Sequence, residues 1–141
     1  MIINRRQKVA VIVWTIDPEG NKRFLLRHNK PFNGYGDEWT IVFGGIETKE
    51  EMLQAARREM LEEFGIKDIE DIFDLGYKVE FVGKNGPAEA HFVAAQVKDI
   101  NIRIVLNEES IGYDWMTIEK VLTVMQYDDE KMAFKKLVTL K

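Results

Sequence analysis

The sequence predicts an α/β (α+β) fold: an α/β/α sandwich around a mixed central sheet. Three observations predict it. Short runs rich in β-branched residues alternate with Gly/Asn/Pro turns on both sides of a central segment. That segment repeats apolar residues at steps of three and four, and a second segment of the same kind closes the chain. The resulting order of strands, helix, strands, helix suits two helical layers on one sheet. The 141 residues suit one core, so residues 1–141 are expected to form a single domain.

"QKVAVIVWTID" reads as a strand, "DPEGN" as a turn and "KRFLLRHN" as the returning strand, so residues 7–29 predict a hairpin. "KPFNGYGDE" is a Gly/Asn/Pro loop, and "WTIVF" is the next strand. Thr48 and Glu51 have the spacing of a capping box, and Gly65 sits where a C-terminal glycine belongs. The spacing therefore predicts a helix over about 49–64, with Leu53, Ala56, Met60 and Phe64 as its buried stripe. "DLGYKVEFVG" and "AEAHFVAAQV" predict two strands joined through "KNGPA", and "NIRIVL" a further one. "GYDWMT" reads as a short extended piece. From Ile118 the pattern is helical, and "DDEKMAFKKLVTL" is an amphipathic helix with Asp128 as its expected cap.

Composition narrows the function. A net charge of −4 argues against an extended nucleic-acid partner held by a broad basic face, but not against a small anionic substrate. With no cysteine, disulfides, thiolate catalysis and cysteine-bound zinc are excluded. "VAVIVW" is far shorter than a membrane span and no cleavage signal follows it. The expectation is a cytoplasmic protein with no membrane partner.

The central helix concentrates acid in its last turns. Glu59, Glu62 and Glu63 fall within a sector of about 100°. Glu59 and Glu63 border the apolar stripe, and Glu62 points further out. Like charges at i,i+3 and i,i+4 each cost roughly 0.2–0.5 kcal/mol. The negative end of the helix dipole adds roughly 0.3–1 kcal/mol per charge. A divalent cation reverses both signs, and carboxylates without histidine or cysteine select a hard ion, Mg²⁺ or Mn²⁺. The competing reading is a solvated acidic face. Two features weigh against it. Arg57 and Arg58 are expected on the opposite flank, and a strand with a Gly-Gly turn leads straight into the helix.

These residues carry a resemblance. "GGIETKEEMLQAARREMLEEFGI" resembles the Nudix box, G-x5-E-x7-R-E-U-x-E-E-x-G-U, where U is aliphatic. Gly44, Glu50, Arg58, Glu59, Met60, Glu62, Glu63, Gly65 and Ile66 fill the specified positions, Met60 counting as aliphatic. Average composition makes a chance match rarer than roughly one in a million. The rest of the chain also resembles a Nudix domain over nearly its full length. The resemblance implies hydrolysis of a diphosphate bridge in a nucleotide, with Mg²⁺ or Mn²⁺ as cofactor. It implies Glu59, Glu62, Glu63 and the Gly44 carbonyl as metal ligands, and an Arg58–Glu50 pair that fixes the loop. The general base would be a box glutamate or a later one, with Glu109 before "GYDW" the first candidate and Glu108 and Glu89 weaker ones. Many family members have proline at Phe43 and glycine at Lys49.

The tail from "FVAAQV" to "IEKVL" resembles the asymmetric diadenosine tetraphosphate hydrolases, and nucleoside triphosphate pyrophosphohydrolases share a similar one. A dinucleoside polyphosphate is therefore the expected substrate and a (deoxy)nucleoside triphosphate the alternative. A non-catalytic nucleotide sensor is a third reading, set against by the complete set of box acids. Bases need stacking surfaces and phosphates need cations. Tyr77, Phe81 and Phe92 on the later strands, Lys84 between them, and Arg27, His28, Lys30, Phe32 and Tyr35 around the "NKPFNGYGDE" loop are the residues considered. Arg27, Tyr35, Tyr77, Phe81 and Lys84 are the substrate-binding candidates.

Overall fold

The structure is a computed structural model that describes residues 4–30 and 38–140. Among these residues the chain forms seven strands and three helices. β1 (Arg6–Ile16) and β2 (Lys22–Asn29) make the expected antiparallel hairpin. Asp17 closes its turn: Oδ1 accepts the amides of Glu19 and Asn21 at 3.0 and 2.9 Å, and Oδ2 meets Arg23 Nε at 2.8 Å.

β1 is the axis of the sheet. One edge runs parallel to β6 (Gly86–Gln96), and β5 (Asp71–Gly83) lies antiparallel beyond it. Two strands share the other edge. β4 (Val42–Gly45) takes Lys8–Val11, and β2 takes Val13–Ile16. β3 (Trp39–Thr40) and β7 (Ser110–Met116) both pair with β2. The "VAVIVW" run does not alternate because both faces of β1 are covered. Val9, Val11 and Val13 pack beneath α1 (Met52–Phe64), and Ala10, Ile12 and Trp14 face the layer of α2 (Ile118–Val124) and α3 (Asp128–Leu140). Phe64 anchors the first layer and Phe134 the second, both fully buried. Truncating either to alanine costs about 3–5 kcal/mol.

Several expectations are corrected. α1 begins at Met52, with Glu51 as N-cap and a capping box to Gln54, not at 49 with Thr48. Lys49 has φ +67°, a left-handed conformation that cannot continue a helix, and Glu50 is turned away to Arg58. The C-terminus at Gly65 is as expected, with φ +67° and its amide on Leu61 O. "WTIVF" is split into β3 and β4, because the chain leaves β2 there and crosses to β1. "NIRIVL" forms no strand. Its alternation reflects Ile102, Ile104 and Leu106 packing on the α1 core, while Val105 N donates to Phe64 O at 2.8 Å. The segment thus satisfies an orphan carbonyl at the end of α1 instead of joining the sheet. Asp128 is the first residue of α3, not its cap. No helix among the described residues is long and apolar enough to cross a membrane.

Candidate active site

β4 and α1 meet at the box. Arg58 is the hub of that contact. Its Nε and Nη2 form a two-pronged bond to Glu50, at 2.8 and 3.0 Å. Nη2 also reaches Gly45 O at 2.7 Å, and Nη1 reaches Glu59 Oε1 at 2.8 Å. Glu62 lies at the rim, 3.4 Å from Nη1 and half exposed. The expectation that Arg58 lies on the far flank is therefore corrected. Its long side chain curls back over the acids, because the loop before α1 offers Glu50 and the Gly45 carbonyl on that side. The Arg58 guanidinium holds the Glu50 carboxyl down at about 2, and Glu50 in turn drives Arg58 further above its ordinary value.

Glu59 and Glu63 are buried at the border of the stripe, as their helical positions require. The Glu59 carboxylate rests directly on Gly44, where any Cβ would overlap it. Glu63 Oε2 accepts the Phe43 amide at 3.3 Å. Its Oε1 lies 2.9 Å from Arg27 Nε, close enough for an ion pair but off the alignment of a hydrogen bond. Burial raises the Glu63 carboxyl, the Arg27 guanidinium opposes this by favouring the charged form, and the adjoining Glu59 carboxylate adds to the rise.

The acids therefore stand in two arginine-paired groups. Among the described residues no three acidic or histidine side chains converge as a ready-made metal cluster. The residues nevertheless fit a hard cation. The donors are all oxygen, one of them lacks an aligned hydrogen bond, and Gly44, with no side chain, lets the Glu59 carboxylate lie against the β4 backbone.

The other candidates divide. Arg27 does not flank the loop as a free cation. It is buried between β2 and α1, and its Nη1 also bonds Asn29 Oδ1 at 2.7 Å and Ser110 Oγ at 3.2 Å. Glu109, the residue before Ser110, is exposed, and its carbonyl accepts the Lys30 amide at 2.9 Å. Its neighbour Ser110 is thus linked through Arg27 to Glu63. Glu89 lies on β6, bound to Lys78 Nζ at 2.9 Å. His28 stacks on Trp39 with ring centroids 4.6 Å apart, and His91 Nε2 meets Gln7 Oε1 at 2.6 Å. Phe32 and Tyr35 lie outside the described residues.

A cleft of about 470 Å³ opens on the opposite face of β4. Phe81, one of the substrate-binding candidates, lines it together with Phe92, Phe43, Ala10 and Val79, and Tyr127, Asp129 and Glu130 stand at its α3 end. Burial, with Glu38 and Asp129 adding repulsion, pushes Glu130 up to about 7. Tyr77 and Lys84 do not line the cleft. Tyr77 packs on Phe92 further along β5, where α3 covers it, and Lys84 is exposed at the tip of the β5–β6 hairpin. Sequence reasoning missed Thr40, Tyr127, Asp129 and Glu130, since "DDE" carried only the signal of a helix start.

The NUDIX domain profile matches residues 6–136. The chain belongs to the Nudix family. It is a Nudix hydrolase, with the pyrophosphohydrolase chemistry of that family, whose members generally use divalent metal ions. The mouse protein named bis(5'-nucleosyl)-tetraphosphatase (asymmetrical) is 29% identical over 99 residues, covering 69% of this chain and 67% of its own. The zebrafish oxidized purine nucleoside triphosphate hydrolase is 27% identical over 135 residues, covering 95% of this chain and 81% of its own. In three dimensions, a Caenorhabditis elegans Ap4A hydrolase in a binary complex superposes with a TM-score of 0.80 at 19% identity, over 96% of each chain.

Proposed function

We propose that this Nudix hydrolase cleaves the phosphoanhydride chain of a dinucleoside polyphosphate such as diadenosine tetraphosphate, with Mg²⁺ as its cation. The observation that carries the reading is the placement of two unlike features on opposite faces of β4. Acid oxygens gather on one face at Gly44, and an aromatic-walled cleft opens on the other at Phe43. A nucleotide needs that pairing, with an oxygen-lined place for phosphates and cation and an apolar slot for its base. The mouse relative's name favours the dinucleoside substrate.

Glu59, Glu62, Glu63 and the Gly44 carbonyl would hold the cation. When bound, it would neutralise phosphate oxygens and lower the pKa of an attacking water. Arg58 locks the loop to α1 through Glu50 and Gly45, so the ligand oxygens are placed before substrate arrives. A solvent-facing carboxylate, Glu109 or Glu62, would take the water's proton. Phe81 would line the base slot.

The second reading is a nucleoside triphosphate pyrophosphohydrolase, favoured by the zebrafish relative's match over nearly the whole chain. The deciding experiment is product analysis on a panel of dinucleoside polyphosphates and nucleoside triphosphates with Mg²⁺. Preference for the dinucleoside substrates supports the first reading, and preference for triphosphates replaces it with the second. If the wild type and Glu62→Gln are equally inactive on every substrate, both fail. Glu109→Gln assigns the base: a fall in kcat of about 10²–10⁴-fold places it at Glu109, and an unchanged kcat leaves it to a box glutamate.

A further inference from the structure

β4 is the partition between the two halves of the site, and its residues alternate across it. Val42 is buried under α1, Phe43 turns its ring into the cleft, and Gly44 lies under the Glu59 carboxylate. Phe43 is the residue with a part in both halves. Its ring lines the cleft, and its amide donates to Glu63 Oε2 at 3.3 Å.

The ring is not core packing. It is 39% exposed, whereas Phe24, Phe64 and Phe134 are fully buried. Its aromatic neighbour Phe81 lies 6.1 Å away at 52°, a tilted contact and not a stacked one. A half-exposed ring at the wall of a cleft gains most when a flat group covers it. The amide has an equally definite use. Phe43 is paired with Ala10 on β1, yet its N–H points to a carboxylate that would ligate the cation. A hydrogen bond to a carboxylate orients it and is stronger than one to a neutral acceptor.

We infer that Phe43 is a specificity-determining residue of this hydrolase: its ring is the stacking wall for the substrate's base, and its amide fixes Glu63 toward the cation. The inference rests on the hydrolase reading above. It implies that the departure at Phe43 matters twice, since proline there would supply neither an aromatic face nor an N–H.

The two roles separate by substitution. Phe43→Ala removes the ring and keeps the amide. It should lower kcat/KM about tenfold, mostly through KM, as expected for losing one base–aromatic stack. Phe43→Tyr or Phe43→Trp should restore it. Mg²⁺ titration of thermal stability, without nucleotide, should be the same for Phe43→Ala as for the unaltered chain. Phe43→Pro should show the same KM defect and also need about fivefold more Mg²⁺ for half-maximal stabilisation. Proline is tolerated where an edge-strand N–H lies outside the ladder, so pairing with β1 should survive. Incorporating phenyllactic acid at position 43 replaces the N–H by an ester oxygen with the ring intact, and should shift Mg²⁺ alone. An unchanged KM in Phe43→Ala overturns the stacking role. An unchanged Mg²⁺ titration in the ester variant overturns the amide role. If the unaltered chain cleaves no nucleotide, the hydrolase reading falls and takes this assignment with it; if it does and Phe43→Ala is silent, only the assignment falls.

Discussion

Arg27 on β2 and Glu63 on α1 form a buried ion pair, with Nε and Oε1 2.9 Å apart. The two residues are 36 positions apart in sequence, and each is almost wholly removed from solvent. A buried charge that loses its partner costs far more than the pair contributes. Arg27→Met should therefore destabilise the metal-free protein by about 3 kcal/mol in urea unfolding. Mg²⁺ would resupply positive charge at Glu63, so it should stabilise Arg27→Met more than the unaltered chain. Equal stabilisation of both by Mg²⁺ would show that Glu63 does not feel the cation.

Gly44 and Gly45 adjoin but should respond differently to alanine. A Cβ at Gly44 displaces the Glu59 carboxylate, the movable end of a flexible side chain. Gly44→Ala should thus cost little stability, under about 1 kcal/mol, while lowering kcat at least about tenfold. At Gly45 the nearest atom to a Cβ is Lys8 Nζ at 3.9 Å, so Gly45→Ala should stay near the activity of the unaltered chain. Similar kcat values for the two variants would remove the argument that Gly44 makes room for Glu59.

Glu130 makes stability depend on pH. Its carboxyl is pushed up to about 7 in the folded chain, from an ordinary value of 4.5. Between those values the folded state binds more protons than the unfolded one, so stability falls as pH rises through this window. The loss at pH 8.5 relative to pH 5 is at most roughly 3 kcal/mol, less any relief from partial exposure. Glu130→Gln has no charge to bury and should narrow the difference in unfolding free energy between pH 5 and 8.5. Glu63, also raised, contributes with the same sign in both proteins and cancels in the comparison. An unaltered pH dependence in Glu130→Gln would sink this account.

Lys49 holds φ +67°, a conformation natural to glycine. Lys49→Gly relieves the left-handed strain of roughly 1–2 kcal/mol but gives part of it back as unfolded-chain entropy. A gain of up to about 1 kcal/mol should appear as a raised melting temperature. A lower one would mean that the lysine side chain holds the loop.

The local half of the site was legible because its geometry is helical. Fixed steps of three and four place Glu59 and Glu63 at the stripe border and Glu62 outside it, and Gly65 ends the helix as its position in the motif requires. The errors lie where one residue had two possible partners. Glu50 pairs with Arg58 as expected but does so from the loop before the helix, not from its first turn, and Arg58 reaches across to the acids instead of away. "NIRIVL" alternates like a strand, yet its amide caps α1. Pattern records which side of a segment is apolar, not which neighbour covers it.

The sequence by itself determined most of the elements, the acidic turn of α1 and the family, because each depends on spacings of a few residues along one chain. Only the tertiary structure decided what those acids face and what lines the cleft behind them. Arg27 comes from β2, Phe43 from β4, Phe81 and Phe92 from β5 and β6, and Glu130 from α3. Their meeting depends on β1 giving one edge to two strands, so that β4 lies between the carboxylates and the cleft. That is a property of long-range pairing, which no short stretch of sequence contains.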